Sequence, residues 1–224
     1  MGPQELRIKR ARATKDLDLT LSETLGTTEE RSLNNAIREA LQRAADIDLS
    51  NFFVFTVGTI MQDLDGAPYG GARLPMDGRT FVRFHIDVGV GDMVLMPLEM
   101  TQGRKWLDFA GIPGSKYPTI SKEQQFAEKV HAYTLPPDRP NTRVRDIVDI
   151  VLLIRGGKMN PTEVRRALKA TFDRRKTHDL PEALKRPPES WKERYRSMAS
   201  ECGISEEMTD AFDSLSGYIS TVNS

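Results

Sequence analysis

Hydrophobic periodicity changes near residue 120, and this switch restricts what the chain can fold into. Ahead of it, short runs of alternating apolar and polar residues are broken by Gly, Pro and Asp. Behind it, apolar residues recur every three or four positions, the spacing of amphipathic helices. The reading is α+β: a small sheet-bearing lobe over residues 1–118, then a helical lobe over 119–224.

Lys15 to Leu21 alternates strictly, with Leu17, Leu19 and Leu21 on one face and Asp16, Asp18 and Thr20 on the other. Thr28 offers a cap, and Leu33, Ile37, Leu41 and Ala44 then predict a helix over about 29–46. Phe52 to Met61 reads as a strand ended by turn chemistry at Asp63, Asp65-Gly66, Pro68 and Gly70-Gly71. After an Asp77-Gly78 turn, Arg79 to Val90 alternates again. Val82, Phe84, Ile86 and Val88 take one face, and Arg83, His85 and Asp87 the other. Sequential strands with tight turns predict an antiparallel or mixed sheet.

In the second part, Ser121 and Gln124 form a capping box that opens a helix to about Tyr133, which Pro136-Pro137 must stop. Arg143 to Ile154 is a second, unusually apolar helix. Asn160-Pro161 with Glu163 starts a third, running to about Arg175. Pro187-Pro188 breaks the chain again, before terminal helices over Trp191 to Met198 and Ser205 to Tyr218. Trp191 and Tyr195, four apart, read as core rather than as base-stacking residues.

A length of 224 residues suffices for one good core, or for a core and a smaller helical lobe. The formal net charge is zero with 29% charged residues, so composition alone does not make the chain a polyanion binder. Cys202 is the single cysteine, which excludes an intramolecular disulfide and any Cys-based zinc site. The N-terminus has no signal-peptide pattern, and no run approaches the roughly 18–20 apolar residues of a membrane span. The expected setting is the cytoplasm, without membrane association.

Asp16 and Asp18 would share one strand face about 6–7 Å apart, a spacing that suits two oxygens converging on a hard cation. Asp-x-Asp alone is equally the pattern of a solvated strand face. Asp87 strengthens the metal reading, provided the two strands are neighbours, because three clustered carboxylates repel unless a cation sits among them. The alternative pairs Asp87 with Arg83 or His85 as a surface network. Separations beyond about 10 Å would mark the acids as ordinary surface, since one ion cannot bridge them.

Asp149 lies where almost every angular position of its helix is apolar, and Asp146 stands one turn earlier. Such a carboxylate is either paired or functional, because an unpaired buried charge is very costly. Arg143 and Arg145 are local candidates to satisfy the Asp146 and Asp149 pair. Lys129 reads as an ordinary solvated lysine or, facing three carboxylates, as a triphosphate contact. Arg165, Arg166, Lys169, Arg174, Arg175 and Lys176 crowd one helix and its exit, followed by Lys185 and Arg186. This run is a solvated face, a seat for RNA phosphates, or a surface for an acidic partner.

Four segments in order resemble the AbiEii/AbiGii-type toxin nucleotidyltransferases, which include MenT-like enzymes of the DNA polymerase-β-like superfamily. Arg12 to Leu19 resembles the family's metal-binding Asp-x-Asp strand, and Phe84 to Asp92 its third-acid strand. Phe126 to Ala132 is similar to the segment with the essential lysine, and Asn141 to Asp149 to the Asp-x-x-Asp helix. The resemblance covers roughly residues 7 to 155.

It implies a small mixed sheet with helices, followed by a helical C-terminal lobe. It also implies transfer of nucleotides from a nucleoside triphosphate to RNA, at the tRNA 3′ end, with Mg²⁺ or Mn²⁺. Asp16, Asp18 and Asp87 would be the metal and catalytic acids. Lys129 would contact phosphate, with Asp146 and Asp149 completing the site. The implied partner is a cognate antitoxin of the AbiEi-like, winged-helix kind, in an abortive-infection-type system. Family members carry a Gly-Gly or Gly-Ser pair ahead of the Asp-x-Asp strand, whereas this chain opens with Met1-Gly2-Pro3. The expectation is therefore an N-terminally truncated sheet lobe. The alternative function is a catalytically impaired member that only binds antitoxin or RNA.

Overall fold

The computed structural model describes residues 16–21, 30–48, 54–58, 61–62, 68–76, 79–90, 93–103, 105, 108–111, 114–136, 143–157 and 159–223. They form two compact units that meet in sequence at Val94 and Leu95. The periodicity switch near residue 120 reports the change of secondary structure, while the compact units divide earlier.

The first unit holds a mixed sheet of β1 (Asp16–Leu21), β2 (Thr56–Val57), β3 (Met61–Gln62), β4 (Pro68–Met76) and β5 (Arg79–Val90), in the order β1-β5-β4-β2. β1 runs parallel to β5, while β4 is antiparallel to β5, β2 and β3. Helix α1 (Glu30–Ala45) covers one face. Its Ile37 is buried with Ile86 and Val88, and Leu17, Leu21, Leu33, Leu41 and Phe84 pack around them. The register Leu17↔Ile86 and Leu19↔Val88 aligns the apolar rows of both strands beneath the helix, leaving the acidic rows to the opposite face. Leu19 stays 43% exposed.

Two turn expectations give way here. Pro68 and Gly70-Gly71 lie inside β4 rather than in turns, with Gly70 opposite Ile86 and Gly71 opposite His85. Long-range pairing with β5 outweighs local turn propensity, and Pro68 is tolerated as the first residue of its strand. The expected strand Phe52 to Met61 survives as β2 and β3 along one edge of β4. Residues 51–53, 59–60, 63–67, 77–78 and 91–92 lie outside the described set, and with them the turns expected at Asp63, Asp65-Gly66 and Asp77-Gly78.

The second unit begins with a hairpin of β6 (Glu99–Gln102) and β7 (Lys116–Thr119). Thr101 and Thr119 join through their hydroxyls at 2.7 Å. Neither strand alternates apolar residues, which is why periodicity missed both. Gly103 is required beside them, since a Cβ there would meet the Tyr117 ring at 2.8 Å and the Ser115 carbonyl at 2.9 Å.

Among the described residues five α-helices follow: α2 (Lys122–Thr134), α3 (Val144–Arg155), α4 (Pro161–Arg175), α5 (Lys192–Cys202) and α6 (Met208–Asn223). The Ser121 hydroxyl accepts from the Gln124 amide at 3.1 Å, as expected of its cap. The Gln124 side-chain oxygen also accepts from the Leu95 amide at 2.8 Å. Asn160 caps α4 through the Thr162 amide. Helix α3 is buried over most of its surface because α2, α5 and α6 pack against it. Ile147, Val148 and Ile150 are fully buried, and Trp191 and Tyr195 join the same core.

Candidate functional site

Two groups of ionisable residues emerge, one in each compact unit. In the first, β1 and β5 are adjacent and parallel, and Asp18 is the direct partner of Asp87. Neighbouring strands stand about 4.8 Å apart, so Asp18 and Asp87 lie side by side on the sheet. Asp16 is two positions earlier on β1, opposite His85. The side chains of Asp16, His85 and Arg83 are not among those described. Asp18 is exposed and Asp87 half-buried, with its Oδ1 atom fully enclosed.

Like charges placed directly opposite on neighbouring strands destabilise a sheet. A pair of carboxylates held in that register is donor chemistry that fits a hard divalent ion. Among the described side chains no group of three His, Cys, Asp or Glu converges closely enough to hold a metal.

The second group answers the question posed by Asp149. Asp146 and Asp149 are both buried, at 6% and 4% exposure, and both face Lys129 from the neighbouring helix. The Lys129 ammonium lies 3.0 Å from Asp146 Oδ1 and 3.1 Å from Asp149 Oδ2. Burial alone would lower the Lys129 pKa. The two carboxylates outweigh it and hold the ammonium above its ordinary value. Arg143 supplements the pair at 3.8 Å from Asp146, while Arg145 points to solvent. Lys129 is thus a clamped, partly buried cation rather than an ordinary surface lysine.

The basic helix is less free than its composition suggests. Arg165 donates through Nε at 3.0 Å, and also through Nη2, to the Val222 carbonyl. Arg166 pairs with Glu163 at 2.9 Å and donates to the Met96 carbonyl, while Lys169 pairs with Asp173. Arg174, Arg175 and Lys176 are exposed at the helix exit.

A polar network beside them went unread in the sequence. His131 Nε2 meets the Thr177 hydroxyl at 2.8 Å, and His178 meets Thr177 and Thr134 at 3.0 and 2.8 Å. No periodicity links His131 and Thr134 on α2 to Thr177 and His178, more than forty positions away.

The model of the nucleotidyl transferase AbiEii toxin family, a type IV toxin–antitoxin system, matches residues 5–216. The chain belongs to this family. No curated protein matches it significantly by sequence. Its fold is similar to that of MenT4, a nucleotidyltransferase toxin from Mycobacterium tuberculosis H37Rv. The TM-score is 0.58 and the identity 16%, over 99% of this chain and 81% of that one. The α+β nucleotidyltransferase architecture is therefore as the sequence resemblance implied. As an AbiEii member, the chain is a nucleotidyltransferase toxin, with the antitoxin partner and nucleic-acid substrate that the family implies. Among the described residues no helix is long and apolar enough to cross a membrane.

Proposed function

We propose that this AbiEii protein transfers a nucleotide from a nucleoside triphosphate to the 3′ end of tRNA in a reaction that depends on Mg²⁺ or Mn²⁺. The observation that carries the reading is the parallel register that makes Asp18 the partner of Asp87. Asp16, Asp18 and Asp87 would hold the ion, and Asp87 would take the proton of the 3′-hydroxyl as its oxygen bonds the α-phosphorus and pyrophosphate leaves. When bound, the ion supplies charge neutralisation on the transferring phosphoryl group.

Lys129 is the proposed phosphate contact. Its partners Asp146 and Asp149 keep it protonated and use two of its three N–H donors, leaving one for a phosphate oxygen. Asp146 and Asp149 act as positioning residues for that cation. Arg165, Arg166, Lys169, Arg174, Arg175 and Lys176 are proposed to attract the RNA backbone. The partner is an AbiEi-like, winged-helix antitoxin, and the setting is the cytoplasm.

The test incubates the protein with total RNA, Mg²⁺ and each labelled triphosphate in turn. The wild type is expected to label a small RNA at its 3′ end, while Asp18→Asn and Asp87→Asn label none. Equal labelling by wild type and both variants would sink the assignment.

A further inference from the structure

Helix α4 ends at Lys176, whose φ of 50° turns the chain sharply. Between α4 and the segment after it lies a cleft of about 620 Å³, lined by Lys169, Phe172, Asp173, Lys176, His178 and Leu180, among others. Ligand pockets span roughly 300–1,000 Å³, so the space suits a single nucleotide unit.

The polar network sets the state of its wall. The Thr134 hydroxyl donates to the Val130 carbonyl at 2.9 Å, so toward His178 Nε2 it accepts. His178 thus carries its proton on Nε2, and its Nδ1 accepts from Thr177, which accepts in turn from His131 Nε2. Every bond is satisfied with both rings neutral. His178 packs 4.7 Å from the His131 ring and 5.1 Å from Phe172, and keeps part of its surface open to the cleft.

Cations stand beside this uncharged ring. Lys176 is exposed, and among the described residues Lys169 forms an exposed i,i+4 pair with Asp173, a contact worth little and readily exchanged. A neutral aromatic wall flanked by flexible cations is the arrangement that seats single-stranded nucleic acid, with stacking for the base and charge for the phosphate. Asp173 and Asp179 also line the cleft. Their carboxylates can accept from base amino groups or ribose hydroxyls.

We propose that this cleft seats one nucleotide unit of the acceptor RNA, its phosphate on Lys169 and Lys176 and its base on the His178 ring. The proposal takes RNA as the ligand from the function proposed above and narrows the basic helix to these residues.

Binding is read by fluorescence anisotropy with a short single-stranded RNA and with an abasic ribose–phosphate chain of equal length. EDTA is present and triphosphate absent, so transfer plays no part. His178→Ala is expected to weaken RNA binding about tenfold, through lost stacking, and to leave the abasic chain unaffected. His178→Phe, which keeps a ring, should retain most of the affinity. The double variant Lys169→Gln/Lys176→Gln, on exposed positions, should weaken both ligands and flatten the log–log salt slope by about 1.4. Weakened binding in these variants supports the cleft even if the wild type labels no RNA in the transfer assay. Unchanged affinity and salt slope in all variants would overturn it, even if labelling succeeds. Equal loss on the abasic chain in His178→Ala would overturn the base assignment.

Discussion

Lys129 shows how one residue can be structural and a candidate phosphate contact at once. Two buried carboxylates surround its ammonium, and removing that charge would take from both the cation they share in a largely apolar helix pair. Lys129→Met is therefore expected to destabilise the protein by about 3 kcal/mol, measured by urea denaturation. The triple variant Lys129→Met/Asp146→Asn/Asp149→Asn should recover most of that loss, because no buried charge is left without a partner. An unaltered urea midpoint in Lys129→Met would refute the clamp. Loss of labelling in Lys129→Ala is accordingly poor proof of phosphate binding, and Lys129→Arg, which keeps the charge, is the better probe.

At the scale of elements, the pairing of β1 with β5 sets two like charges side by side. In metal-free buffer Asp87→Asn should stabilise the first unit by about 0.2–1 kcal/mol, by relieving cross-strand repulsion. Added Mg²⁺ should raise the melting temperature of the wild type, since an ion that binds only the folded state stabilises it. The same addition should leave Asp18→Asn/Asp87→Asn unmoved, and an equal rise in that variant would mean the ion binds elsewhere.

The contact between α2 and the segment after α4 responds to acid. Burial, followed by His178, Arg175 and Arg143, pushes His131 down to about 4. Burial lowers His178 too, against the pull of Asp179. In the unfolded chain these rings take up protons near pH 6.5, whereas the folded ones do not. Stability therefore falls as pH drops from about 6.5 toward 4. Urea midpoints between pH 6.5 and 5, above the carboxylate range, should decline in the wild type and decline less in His131→Phe. Parallel declines in the two proteins would remove His131 as the cause.

For the whole molecule, family membership together with the acid pair predicts a toxin whose action requires Asp18. Expression without an antitoxin should arrest growth, Asp18→Asn should not, and tRNA from arrested cells should carry extra 3′ nucleotides. Arrest by Asp18→Asn at equal expression would favour a binding-only role. Most helices were legible, because a packed amphipathic helix must repeat its apolar residues and its ends need particular caps, as at Ser121 and Asn160. The β6–β7 hairpin was not, because its strands carry Thr, Gln and Lys rather than an apolar alternation. The acids of the candidate site were legible as residue types, while the partner of Asp149 was not.

Local sequence by itself determined the α+β class and the approximate span of the helices, and supplied the candidate acids as residue types. Those properties depend on residues within one or two turns of each other, where spacing alone carries the signal. The tertiary structure decided which distant residues meet. It placed β5 rather than β4 beside β1, in parallel, so that Asp18 faces Asp87. It drew β4 through Gly70-Gly71 because pairing with β5 outweighs turn propensity. It brought Lys129, seventeen and twenty positions away on another helix, to both Asp146 and Asp149. Burial is the reason, since a carboxylate closed inside a helix bundle binds the cation that packing brings to it.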